Sequence, residues 1–236
     1  MAYIPEGKTV SDGDLEKCFE KNGDSIGYMF ANAGKLFVRK FLDFDVFLNQ
    51  YKAEKEAFPV PFAVHFRIKT SGKIDLENCH PFPIGRDFAL MHNGIIAGLG
   101  NAEKSDTNQF ASEVLLPMLQ KYPGILEDKI FRGIIASAIG TYNKLILMKR
   151  DGSAYIVHEK QGDWIGGVWF SNKLWTYSYS QTYAAYETGA FFKRQQTPAI
   201  PHYNPPKGAF PELPCTVCGV LTRRANMICR HCMECL

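Results

Sequence analysis

Phe62-Ala63-Val64-His65-Phe66-Arg67-Ile68-Lys69-Thr70 alternates in character along most of its length. Side chains of a strand point to opposite faces in turn. Val64, Phe66 and Ile68 are therefore expected on one side, and His65, Arg67 and Lys69 on the other. A strand with one apolar and one polar face belongs to a layered sheet, and its neighbours in sequence fit that setting. Gly27 to Ala31 and Lys35 to Arg39 read as two strands joined at Asn32-Ala33-Gly34, a hairpin. Phe88 to Ile96 reads as an apolar strand interrupted at Asn93-Gly94. Lys144 to Lys149 and Ala154 to His158 form a hairpin hinged at Asp151-Gly152, and Trp169 to Asn172 and Leu174 to Tyr177 continue the series.

Helices separate these strands. Ser11-Asp12-Gly13-Asp14 is a capping box that opens a helix through about Asn22, with Leu15, Cys18 and Phe19 on one face. Phe44 to Lys55 reads as a helix with Val46, Phe47 and Tyr51 on one side. From Ser105 two helical segments follow, split near Pro123-Gly124. Strands, central helices and strands again predict an α+β layered domain.

The chain has 236 residues, 46% of them hydrophobic, which is enough to build a sizeable core and excludes wholesale disorder. Its 27 basic and 24 acidic residues form no long basic block, so the charge balance does not call for nucleic acid or an anionic membrane. No apolar run reaches the length needed to span a bilayer, and no leader is recognisable near Met1. The expectation is a soluble, cytoplasmic protein without a membrane partner.

Three segments carry candidate chemistry: His65-Phe66-Arg67-Ile68-Lys69-Thr70-Ser71-Gly72, then His92-Asn93-Gly94, then Ser105-Asp106-Thr107. Each has an ordinary reading as a surface charge on a strand, a hairpin turn and a helix cap. In this order and spacing, however, they resemble the glutamine site of class II glutamine amidotransferases. Asn78-Cys79-His80-Pro81-Phe82 resembles the stretch between the first two segments. Asn22-Gly23-Asp24-Ser25-Ile26-Gly27 is similar to an early family stretch in which Ser25 replaces a glycine. The resemblance covers roughly residues 3 to 180 and implies an amino-terminal-nucleophile hydrolase fold, a four-layer αββα sandwich.

The resemblance also assigns roles, which the side-chain chemistry fits. Arg67 offers a planar fork to the α-carboxylate of glutamine. Asp106, in the first turn of a helix, offers a fixed negative charge to the α-ammonium. The side chain of Asn93 and the main-chain N–H of Gly94 would form the oxyanion hole. Thr70 and Ser71 stand at further substrate contacts, with Ser71 where family members often have histidine.

The family's nucleophile is a cysteine at the mature amino terminus whose own α-amine moves the proton. Here the second residue is Ala2. Cys18 reads as a core residue, and Cys79 beside His80 would face away from it on a strand. Two readings stay open: a longer frame beginning Met-Cys, or a descendant that lost turnover and kept a binding cleft. Any acceptor of ammonia would be held by a synthase or other partner in trans.

On these readings the chain divides into an amidotransferase-like domain over 1–197, a linker over 198–214 carrying six prolines, and a tail over 215–236. In the tail, Cys215-x2-Cys218-x10-Cys229-x2-Cys232 has the spacing of a tetrahedral four-thiolate knuckle for structural Zn²⁺, with an iron site as the chemical competitor. Arg223, Arg224 and Arg230 give the tail a basic side, so a zinc-dependent module that binds nucleic acid or protein is the alternative.

Overall fold

A computed structural model describes residues 1–176 and, beyond them, the paired strands Leu213–Pro214 and Leu221–Thr222. The chain forms two compact units, Met1–Ala184 and Ala185–Leu236. The first is mixed α+β, built on two antiparallel sheets. In the second, the two strands pair antiparallel. The linker segment 198–212 and the cysteines of the tail lie outside the described residues.

The larger sheet holds β1 (Ala2–Ile4), β2 (Ser25–Asn32), β3 (Lys35–Phe41), β4 (Phe62–Arg67), β9 (Asp163–Ile165) and β10 (Val168–Phe170). These six strands lie in the order β3-β2-β4-β1-β10-β9. The smaller sheet holds β5 (Phe82–Ile84), β6 (Phe88–Asn93), β7 (Lys144–Lys149) and β8 (Ala154–Val157), paired in chain order. The β2-β3 turn places Ala33 (φ 49°) and Gly34 (φ 73°) in left-handed backbone, as a two-residue hairpin with matching twist requires.

Helices α1 (Asp12–Lys21) and α2 (Phe44–Ala57) cover one face of the larger sheet. Ser11 caps α1 by accepting from the Asp14 N–H at 3.1 Å, and Asp43 caps α2 by accepting from Val46 at 2.9 Å. Their packing is aromatic. Phe30 stacks on Phe62 at 4.5 Å and on Phe37 at 4.7 Å, and Tyr28 meets Phe47 and Tyr51 edge-on. Each such buried ring contributes roughly 1.5–3 kcal/mol by leaving water.

The outer face of the smaller sheet is covered by a π-helical segment (Phe110–Leu115), which continues α3 (Asp106–Gln109), and by α4 (Leu116–Lys121) and α5 (Lys129–Ile139). The wide turn brings the Leu116 N–H to the Ala111 carbonyl, five residues back. Between the sheets lies a third cluster of Met29, Ala63, Ala89, Met91, Ile146, Met148 and Trp169.

Several expectations are corrected. Strand β4 ends at Arg67, and Ile68 is 60% exposed rather than continuing the apolar face. Both faces of β4 are buried, so its polar side points into the molecule instead of to water. Val46 is exposed and only Phe47 and Tyr51 of that set enter the core. Leu174–Thr176 is a single helical turn, where a strand was expected, and among the described residues no strand pairs with it. Strands β5 and β9, three residues each, were too short to show a period.

Candidate functional site

The seam between the sheets is apolar for most of its length and turns polar at one end. Along β4 the inward positions run Ala63, His65, Arg67, and along β6 they run Ala89, Met91, Asn93. Lys144 faces Asn93 in the β6-β7 register, and burial lowers its pKa. The alternation that builds the seam thus delivers polar side chains to its open end.

A cavity of about 220 Å³ opens there. Arg67, Thr70, Asn93, Gly94 and Asp106, from separate parts of the sequence, all line it, together with His65, His80 and His92. The volume lies below the roughly 300–1,000 Å³ typical of drug-sized ligands, and suits something as small as an amino acid. Ile68 and Ile95, both largely exposed, stand at its mouth.

Arg67 is buried at 4% exposure. Its Nη1 donates to the Lys73 carbonyl at 3.1 Å and its Nη2 to the Ser71 carbonyl at 2.7 Å, which pins the turn after β4 and leaves other N–H groups of the fork for a ligand. Burial lowers its pKa, against the pull of Asp24, Cys79, Asp75 and Asp106. Asp106 accepts from the Ile96 N–H at 2.7 Å and from the Thr107 N–H at 2.8 Å. One carboxylate therefore fixes both its own helix start and the chain that follows Gly94.

Ser71 does not line the cavity. Its hydroxyl accepts from the Asp106 N–H at 3.2 Å, so it supports Asp106 from behind. Gly72, at φ 72°, packs so closely on Ser105 that a Cβ would lie 2.6 Å from the Ser105 nitrogen. This close approach joins the turn after β4 to the start of α3, and Asn78 reinforces it by accepting from the Ser105 N–H at 2.7 Å.

Asn143, which no sequence motif indicated, completes the site together with Asn22, His65, His80 and His92, which stand in the quoted segments without an assigned role there. His80 stacks on His65 with ring centroids 4.0 Å apart, and burial holds both imidazoles well below the ordinary histidine pKa. The His92 N–H donates to Nδ1 of His80 at 3.1 Å. Asn143, just before β7, sits 2.7 Å from His92 Nε2 and against Gly94, where a Cβ would overlap its Oδ1. Gly94 is glycine for that packing and for its φ of 138°, a reason distinct from ligand approach. Asn22, at the end of α1, completes the wall. Long-range contacts of this kind leave no local pattern; the HNG and SDT segments were the available signals.

A second cavity of about 30 Å³ shares Asn22, Phe66 and Asn93 with the first and is also lined by Met1, Ala2 and Cys18. The Met1 carbonyl accepts from the Ser171 N–H at 2.9 Å, holding position 1 at the head of β1. Neither described cysteine is an activated thiol. Burial pushes the Cys18 thiol up to about 11, and it raises that of Cys79, which donates to the Ile26 carbonyl at 3.1 Å.

Among the described residues no group of three or more His, Cys, Asp or Glu is placed to hold a metal ion, and no helix is long and apolar enough to cross a membrane. Compared with known proteins, the chain matches no family model and no curated sequence.

Proposed function

We propose that this chain is a glutamine-binding protein of the class II amidotransferase type, in which amide hydrolysis requires a cysteine ahead of Ala2. The observation that carries the reading is the convergence of Arg67, Thr70, Asn93, Gly94 and Asp106 on one amino-acid-sized cavity. The layer order also supports it: helices, sheet, sheet, helices is the order of the amino-terminal-nucleophile hydrolases.

The free donors of Arg67 would take the α-carboxylate and Asp106 the α-ammonium. The side-chain amide would then lie towards Asn93 and the head of β1. A thiolate on the residue before Ala2 would form a bond to the amide carbon, and the C=O π pair would move onto the oxygen. Asn93 Nδ2 and the Gly94 N–H would hold that oxyanion. The α-ammonium of the same cysteine would protonate the leaving nitrogen, releasing ammonia and a thioester. Water would hydrolyse the thioester to glutamate.

Binding without turnover is the second reading. The raised thiols of Cys18 and Cys79 favour it, since neither would be ionised near neutral pH.

One experiment separates the two. Glutamine binding is measured by calorimetry on the chain as it stands and on a form with one cysteine inserted between Met1 and Ala2. Binding by both, with ammonia release only from the inserted form, is expected. Absence of glutamine binding from both would sink the proposal. Cys215, Cys218, Cys229 and Cys232 would hold one structural Zn²⁺ apart from this chemistry. Zinc content unchanged by Cys215→Ser would remove that part.

A further inference from the structure

The hydrogen bonds behind the cavity form a linear chain whose direction is set by one side chain. Asn143 Nδ2 donates to the Ile139 carbonyl, so its Oδ1 is the atom facing His92. Because Oδ1 can only accept, His92 Nε2 must carry a proton whatever the charge on the ring. The state of His92 is therefore read at Nδ1, which lies 2.8 Å from the Thr107 hydroxyl oxygen.

That hydroxyl has a single proton and two neighbours that want it, His92 Nδ1 and Asp106 Oδ1, the latter 3.3 Å away. With His92 neutral, the proton goes to Nδ1. Asp106 Oδ1 then keeps one protein donor, the Thr107 N–H, and has a lone pair to spare. With His92 protonated, Nδ1–H donates to Thr107 and the hydroxyl turns to Asp106. The spare lone pair is then filled, and a positive charge stands two bonds behind it.

We infer that Thr107, His92 and Asn143 act as positioning residues, a proton-set relay that fixes Gly94 at one end and decides at the other how freely Asp106 accepts a ligand's ammonium group. The inference rests on the glutamine-site reading for the identity of the ligand, but the relay itself does not. Neutral His92 is the binding form, and an ammonium bound at Asp106 opposes its protonation.

Every charged or titratable group around His92 fits this assignment. Burial lowers its pKa most, and Lys144 on β7 adds to the lowering. The bond to Asn143 and the charge of Asp106 on α3 oppose it. His80, below it, accepts the His92 N–H, and the His65 Nε2–H donates to the His92 carbonyl at 2.8 Å; burial holds both rings well below the ordinary histidine pKa. His158 Nδ1 lies 2.7 Å from the Asn143 carbonyl and helps hold Asn143 in place.

The test pairs a ligand-free measurement with a binding one. Nitrogen NMR of histidine-labelled protein should show the Nε2–H tautomer for His92, and an Nδ1–H tautomer overturns the relay. Glutamine affinity by calorimetry should fall as pH drops through the His92 titration, by about tenfold, the worth of one hydrogen bond to a charged group. Thr107→Val, which has no hydroxyl to turn, should flatten that pH dependence, and Thr107→Ser should restore it. A Thr107→Val protein that binds glutamine with the unaltered pH profile also overturns the relay. Should the unmodified protein bind no glutamine, the ligand reading fails alone. The tautomer, and a shift of the His92 titration in Thr107→Val, then decide the relay.

Discussion

The two faces of β4 are both buried, yet they are built on opposite rules. Towards the helices it presents Phe62, Val64 and Phe66 to an aromatic cluster that meets charge at its margin, at Lys55 over the Phe62 ring and Glu54 at the Tyr28 hydroxyl. Towards the other sheet it presents Ala63, His65 and Arg67, and these become more polar residue by residue. The first face is what folding alone would select. The second buries an arginine, two stacked imidazoles and, across the cavity, a carboxylate, each of which loses hydration and must find partners. Stability alone would not select that arrangement; the proposed binding of a small zwitterionic ligand would.

The contrast can be broken from the apolar side. Phe30→Ala removes a ring stacked on Phe37, Phe58 and Phe62 and should lower unfolding free energy by about 3–5 kcal/mol in chemical denaturation. The protein that remains folded should bind glutamine as before, because Phe30 does not line the cavity. A parallel loss of affinity would mean that the two faces are not separable.

From the polar side, Arg67→Lys keeps the charge but replaces the fork with a point donor. Glutamine affinity should fall by about 10- to 100-fold, the worth of one or two charge-assisted hydrogen bonds. Stability should change less than in Phe30→Ala. A substitution that left affinity intact would exclude Arg67 as the carboxylate partner.

Acid acts on both buried imidazoles at once. His65 and His80 are buried as neutral rings with pKa values well below those of the unfolded chain. Below the ordinary imidazole pKa the unfolded state takes up protons that the folded state refuses, so stability falls as pH falls. The slope should approach about 1.4 kcal/mol per pH unit for each ring. Stability independent of pH from neutrality to the carboxylate range would contradict their burial as neutral groups.

Much of this was legible in the residues, for identifiable reasons. The alternation of β4, the Asn32-Ala33-Gly34 turn and the Ser11 and Ser105 caps are local rules that act over a few positions, and each forms as expected except that β4 stops at Arg67. The three motif segments meet because each ends a strand or starts a helix at the same edge of the seam. What was not legible depends on distance along the chain. Asn143 is a lone asparagine before a strand, 51 residues from its partner His92. His80 reads as a neighbour of Cys79, yet its ring belongs with His65, because residues 78–80 are a bend and not a strand. Ser71 was expected to meet the ligand and instead holds the Asp106 main chain, a difference decided by which way one turn curls.

The π-helical segment Phe110–Leu115 has a mechanical consequence. A π turn holds one residue more than an α turn, so the helix is phased twice. Its first residues, Asp106 and Thr107, are set by the cavity, while Phe110, Ala111 and Leu115 are set by the core beneath the smaller sheet. Without the additional residue the two demands would differ by about 100° of rotation, the angle between neighbours on an α-helix. The bulge reconciles them: the core end keeps its packing while the carboxylate end faces the cavity.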